Sequence, residues 1–126
     1  MKSGALGKVY KDGEIIIRQG DVGDCMYVVQ EGQVEIFDTV GDQEVRLAVR
    51  RAGDFVGEMA VLEREVRSAS VRALGEARLL TVDKRNLLSR IHEDPSFAYR
   101  LIQSLCSRVR ELSSEVARLK QDSRPG

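Results

Sequence analysis

The sequence predicts a mainly β fold with C-terminal α structure: a small barrel or sandwich, then a short helix and a long one. Two patterns carry this reading. As far as about Asp83 the chain consists of short apolar runs, punctuated by glycines at 13, 20, 23, 32, 41, 53 and 57. Glycine in such places supplies positive φ or close backbone approach, and many short strands between regular turns indicate a sandwich or barrel. Beyond that point the apolar residues recur with a helical period.

In chain order, Ile15, Ile16 and Ile17 form a β-branched run that ends at Gly20. Met26 to Gln30 follow a Gly-Asp-Val-Gly-Asp turn, and Val34, Ile36 and Asp38 alternate with their neighbours until Gly41-Asp42 reverses the chain. Val45, Leu47 and Val49 alternate with polar residues, the period of a half-buried strand. Two more strands are expected at Ser70–Leu74 and Ala77–Val82. Asp83 can cap a short helix carrying Leu87, Leu88 and Ile91.

Asp94-Pro95 then offers an N-cap followed by proline at the first helical position. The helix that follows carries a heptad of Ala98, Ile102, Leu105, Val109, Leu112, Val116 and Leu119. With Ile102, Val109 and Val116 at a and Leu105, Leu112 and Leu119 at d, the pattern favours a parallel two-stranded coiled coil. Glu115 at g and Lys120 at the following e form an opposite-charge pair for such chains. A homodimer through this stripe is expected. Leu101, off the stripe, is expected to pack inward, and residues 122–126 read as a tail.

Composition narrows the function classes. The 126 residues suit one domain with a real core. Twenty basic residues balance twenty acidic ones, which argues against a general nucleic-acid binder. No helix-turn-helix follows the long helix, so no nucleic-acid partner is expected of this chain alone. No apolar run approaches the ~18 residues of a membrane span, and the N-terminus lacks a signal-peptide core. Cys25 and Cys106 are too few for a disulfide framework, and a cytoplasmic location is expected. His92, the sole histidine, leaves no His-rich metal site; neither metal nor cofactor is expected.

The chemistry concentrates in residues 53–71. Gly57 precedes a short apolar, helix-prone turn, whose first N–H groups can face an anion. Arg67 brings a planar fork suited to two anionic oxygens, and Ser68 adds a hydroxyl. Ionised Glu58 only accepts hydrogen bonds, which suits a sugar hydroxyl. Together they describe a pocket for a compact molecule bearing a phosphate and a free hydroxyl. Residues 95–126 hold six basic and three acidic residues, and residues 1–94 hold 14 basic and 17 acidic. An anion bound by the negative first part must be held by a local device.

Gly57-Glu58-Met59-Ala60 followed by Arg67-Ser68-Ala69 resembles the phosphate-binding cassette of cyclic nucleotide-binding domains. The upstream Gly13-Glu14-Ile15-Ile16, Arg18-Gln19-Gly20-Asp21, Met26-Tyr27-Val28-Val29 and Glu31-Gly32-Gln33-Val34 are similar to that family's opening hairpins. The resemblance spans roughly residues 8–120. It implies a double-stranded β-helix (jelly-roll) barrel over about 8–83 with its cassette at 56–71, and C-terminal helices over about 84–121. The whole chain is then a single domain.

By the same resemblance the ligand is cyclic AMP or cyclic GMP, bound without catalysis. Glu58 would hold the ribose 2′-hydroxyl and Arg67 the exocyclic phosphate oxygens. Backbone groups of Gly57, Met59, Ala60 and Ser68 would complete the cradle. Leu47, Ala48 and Val56 would lie beside the base or sugar, with Ser113 of the long helix reaching the base from the same or a partner chain. The competing classes are a ligand-free dimerisation scaffold of the same fold and a metal-dependent cupin enzyme, the latter disfavoured by the single histidine.

Overall fold

The computed structural model describes residues 7–58, 60 and 65–122, in two compact units, Met1–Ser89 and Arg90–Gly126. The first unit is a jelly roll. Its centre is a pair of long antiparallel strands, β4 (Cys25–Val40) and β8 (Ser70–Asp83). The free edge of β8 takes β1 (Lys8–Tyr10) and β2 (Ile15–Ile17). The other edge of β4 takes β6 (Phe55–Val56) near its start and β5 (Gln43–Arg51) along its second half. A separate two-stranded ribbon pairs β3 (Val22–Gly23) with β7 (Glu65–Val66).

The register sets apolar residues opposite one another. Val29 faces Leu79, Val34 faces Ala73, Ile17 faces Val71 and Tyr10 faces Ala77, and all eight are buried in one cluster with Val56. Each large aliphatic side chain so buried contributes about 1.5–3 kcal/mol. The cluster fixes which face of each strand points inward, because a one-residue slip would turn it all outward.

Two expectations are corrected here. The runs around Met26 and Val34 form one strand, as do Ser70–Leu74 and Ala77–Val82. The reason lies at Gly32 and Gly75, which both adopt positive φ inside the paired strands. Between Glu31↔Arg78 and Gln33↔Leu74 the β8 side runs four residues against two on β4, a bulge that bends the pair without breaking it. A Cβ at Gly32 would overlap the carbonyl oxygen of Glu76, so only glycine permits this approach. Glycine here bends a strand where the sequence reading ended one.

Val45 and Leu47, expected on a half-buried face, are exposed. The register steps from Ile36↔Ala48 to Phe37↔Arg46, leaving Leu47 as the extra residue of a bulge. The polar side chains around that bulge are tied down. Glu35, itself buried, accepts from Arg46 Nε at 2.6 Å and from Arg72 Nε at 2.7 Å. Arg72 also pairs with Glu44 at 2.9 Å and lies 4.1 Å over the Phe37 ring. The hydrogen bonds from Arg46 and Arg72 hold the Glu35 carboxyl below its ordinary range, against the opposing effect of burial. One carboxylate thus clamps three adjacent strands.

The two helices start as the sequence indicates. Asp83 Oδ1 accepts from the Asn86 N–H at 2.8 Å, opening α1 (Lys84–Glu93), whose Leu87 is buried. In the second unit Asp94 Oδ1 accepts from the Ser96 N–H at 3.1 Å at the head of α2 (Pro95–Asp122). Along α2, Phe97 and Leu101 are buried, as expected for Leu101, and Leu105 is half-buried. Ile102, Val109, Leu112, Val116 and Leu119 are exposed. Residues 123–126, most of the expected tail, lie outside the described residues.

Candidate functional site

Arg67 is fixed first through its main chain. The β3–β7 pairing brings Val22 opposite Val66 and Gly23 opposite Glu65. Past it, the Arg67 N–H donates to the Asp21 carbonyl at 2.7 Å, and the Gly20 N–H donates to the Arg67 carbonyl at 3.0 Å. The Gly-Asp-Val-Gly-Asp stretch is therefore the rail on which the arginine is mounted.

The guanidinium is half-buried and held by carbonyls. Nη2 donates to the Cys25 carbonyl at 2.6 Å, with the Cys25 Sγ at 3.8 Å, and Nη1 donates to the Gly57 carbonyl at 3.1 Å. Among the described residues no carboxylate forms an ion pair with it. A guanidinium has five donors, and carbonyls carry no net charge to cancel its own. Such an arrangement keeps a cation oriented and available for an anion. Its field reaches Tyr27: burial and the Cys25 contact push that phenol well above its ordinary range, while Arg67 pulls the other way.

Gly57 joins the two halves of the site. Its φ of +73° is left-handed, where a side chain is strained. A Cβ there would also lie 2.6 Å from Arg67 Nη1 and 3.0 Å from Ile17 Cδ1. The same carbonyl that holds Arg67 accepts from the Ala60 N–H at 3.2 Å, which starts a helical turn containing Glu58 and Ala60. Glu58 is only 5% exposed, Ala60 is buried, and Val56 sits in the core just before them.

Of the residues singled out from sequence, Val56, Gly57, Glu58, Ala60 and Arg67 thus gather around one turn. Ser68 follows Arg67 and is exposed. Met59 lies outside the described residues. Leu47 and Ala48 lie on β5, against the second half of β4, whereas Cys25 stands at the first residue of that strand. Ser113 is an exposed residue of α2 in the second unit. Sequence reasoning missed Cys25, Gly20 and Asp21, which act through main-chain groups and so carry no side-chain signature.

A jelly roll that presents an arginine fork beside a glycine turn and a buried carboxylate has the groups of a receptor for a small phosphate-bearing molecule. Residues 7–94 match the cyclic nucleotide-binding domain family, and the chain belongs to that family. It is 36% identical over 110 residues to the cyclic AMP receptor protein of Thermus thermophilus, covering 86% of this chain and 51% of that protein. The solved structure of Thermus thermophilus catabolite activator protein matches with a TM-score of 0.78 at 34% identity, over 93% of this chain and 56% of that one. The cAMP-dependent protein kinase regulatory subunit of Schizosaccharomyces pombe is 38% identical over 76 residues, 60% of this chain and 18% of that protein. The chain spans about half the length of the first relative and under a fifth of the kinase subunit. No helix among the described residues is long and apolar enough to cross a membrane.

Proposed function

We propose that this chain is a non-catalytic cyclic-nucleotide sensor of the cytoplasm. The observation that carries the reading is the Arg67 guanidinium, held on the Cys25 and Gly57 carbonyls with no carboxylate partner among the described residues. In this reading Arg67 takes the exocyclic oxygens of a cyclic phosphate. Glu58 accepts the ribose 2′-hydroxyl, and main-chain groups at Met59, Ala60 and Ser68 complete the cradle. Leu47 and Ala48 lie beside the base or sugar with Val56 near them, and Ser113, of this or a partner chain, reaches the base. Occupancy is read out by the C-terminal helix, whose equilibrium shifts by the difference in ligand affinity between its two positions.

The same proposal makes the working unit a homodimer through α2. Support comes from the exposed stripe of Ile102, Val109, Leu112, Val116 and Leu119, completed by half-buried Leu105, at coiled-coil spacing. The direct test of the sensor is calorimetry with cyclic AMP and cyclic GMP, using 5′-AMP as the open-chain control. Saturable binding of a cyclic nucleotide, with a matching rise in Tm, is the expected result. No heat and no shift with either cyclic nucleotide would overturn it in favour of a ligand-free scaffold.

A further inference from the structure

We infer that Gly23 is a positioning residue: its missing side chain is the space in which the Arg67 fork is set. Built at Gly23, a Cβ would overlap the Arg67 Nε and Cζ and lie 2.7 Å from Nη2. All three of its nearest neighbours belong to that one side chain. The inference rests on the reading of Arg67 as the phosphate ligand and adds a residue to which that reading gives no role.

Backbone conformation does not account for this glycine. Gly13, Gly20, Gly41, Gly53 and Gly75 have positive φ with open space where a Cβ would go, so turn geometry explains them. Gly23 is the reverse. Its φ lies outside the left-handed region, it sits in an antiparallel pair opposite Glu65, and it is buried. An alanine could hold that backbone without strain. What it could not do is share the volume already filled by the guanidinium.

A flexible arginine would ordinarily swing aside at little cost. Here the fork is tied on two sides, to Cys25 at 2.6 Å and to Gly57 at 3.1 Å. The Arg67 main chain is also fastened, at Asp21 and Gly20. Alanine at 23 therefore forces a choice: the guanidinium leaves its carbonyls or the β3–β7 ribbon opens. Either outcome moves the fork from where it would meet an anion.

The test is a double-mutant cycle with Gly23→Ala, Arg67→Ala and the two combined, read by Tm and by calorimetric titration with cyclic AMP. Gly23→Ala alone is expected to lower Tm and weaken cyclic AMP about tenfold or more, the loss of at least one charge-assisted hydrogen bond. In the Arg67→Ala background the added alanine is expected to leave Tm unchanged, since the space is then vacant. Equal Tm losses in both backgrounds, or undiminished cyclic AMP affinity in Gly23→Ala, would overturn the inference. If Gly23→Ala is unfolded, recovery of folding in the combined variant supports it and continued unfolding defeats it. A wild-type protein that binds neither cyclic nucleotide defeats the sensor reading instead, while the Tm cycle still decides whether Gly23 sets the fork.

Discussion

Arg67 and Cys25 meet across 42 residues of chain, and the contact is to the main chain: Nη2 donates to the Cys25 carbonyl at 2.6 Å. Cys25 is the first residue of β4, so the guanidinium hangs from the end of the longest strand in the sheet. Carbonyls orient an arginine without cancelling its charge, and no carboxylate among the described residues forms an ion pair with this one. Had a carboxylate taken that position, the pair would be neutral and an arriving anion would have to displace it.

Arg67→Ala is expected to weaken cyclic AMP by about 2–5 kcal/mol, the range for truncating one partner of a buried charge pair. The fold is expected to survive, because the Arg67 main-chain bonds do not need the side chain. Calorimetry on the variant checks this, and undiminished affinity would remove Arg67 from the site.

Glu58 is expected to bind the sugar rather than the phosphate. Glu58→Ala then costs about 1.5–3 kcal/mol through a lost hydrogen bond to a charged acceptor. The 2′-deoxy analogue of cyclic AMP separates this from general damage. Wild-type protein loses affinity for the analogue, and the variant discriminates little between the two ligands. A variant that still prefers the ribose form by the wild-type margin places the hydroxyl elsewhere.

The Glu35 clamp predicts a signed pH dependence. Its carboxyl is held below the ordinary 4.5 by Arg46 and Arg72. A lowered folded-state value means the stabilisation is complete above that ordinary value and is lost as pH falls through the folded one. Urea unfolding from about pH 6 down to about pH 3 is expected to show this acid-side loss in wild type and less of it in Glu35→Gln. At neutral pH that substitution costs about 1–3 kcal/mol, since two charge-assisted bonds weaken. A Gln variant with the wild-type acid profile would assign the loss to other carboxylates.

Dimerisation is expected to depend on the middle of α2. Leu112→Asp puts a charge at a d position, where a coiled coil buries its side chains. Sedimentation equilibrium is expected to show wild type as a dimer and the variant as a monomer with the jelly roll intact. A monomeric wild-type protein would refute the interface directly.

Much of this molecule was legible in the sequence, and the reasons differ by part. Helix starts were readable because Asp83 and Asp94 cap through side chains, and side chains are what a sequence spells out. Glu58 and Arg67 stood out as candidates for the same reason, since their chemistry lies in their side chains. The length of β4 was not, because glycine at 32 signals a turn and a bulge alike, and only the partner strand decides between them. The exposure of Leu47 follows from a one-residue mismatch with β4 that alternation alone does not reveal. The supports of Arg67 are carbonyls at 25 and 57 and vacant space at 23, and every residue type carries a carbonyl.

Among the described residues, the arginine follows the least supported β structure. β3 and β7 are two residues each and, among the described residues, pair with one another apart from the six-stranded sheet. Ribbons of two strands are marginal unless something else holds them. The main-chain bonds of Arg67 to Asp21 and Gly20 are what hold it closed, and an anion bridging Arg67 to the Gly57 turn would suppress its remaining local opening. The amides of Gly20 and Arg67, which close that ribbon, would then exchange with solvent deuterium slowly when the site is filled and quickly when it is empty. A short pairing of this kind would let a small ligand tighten the segment that carries the arginine.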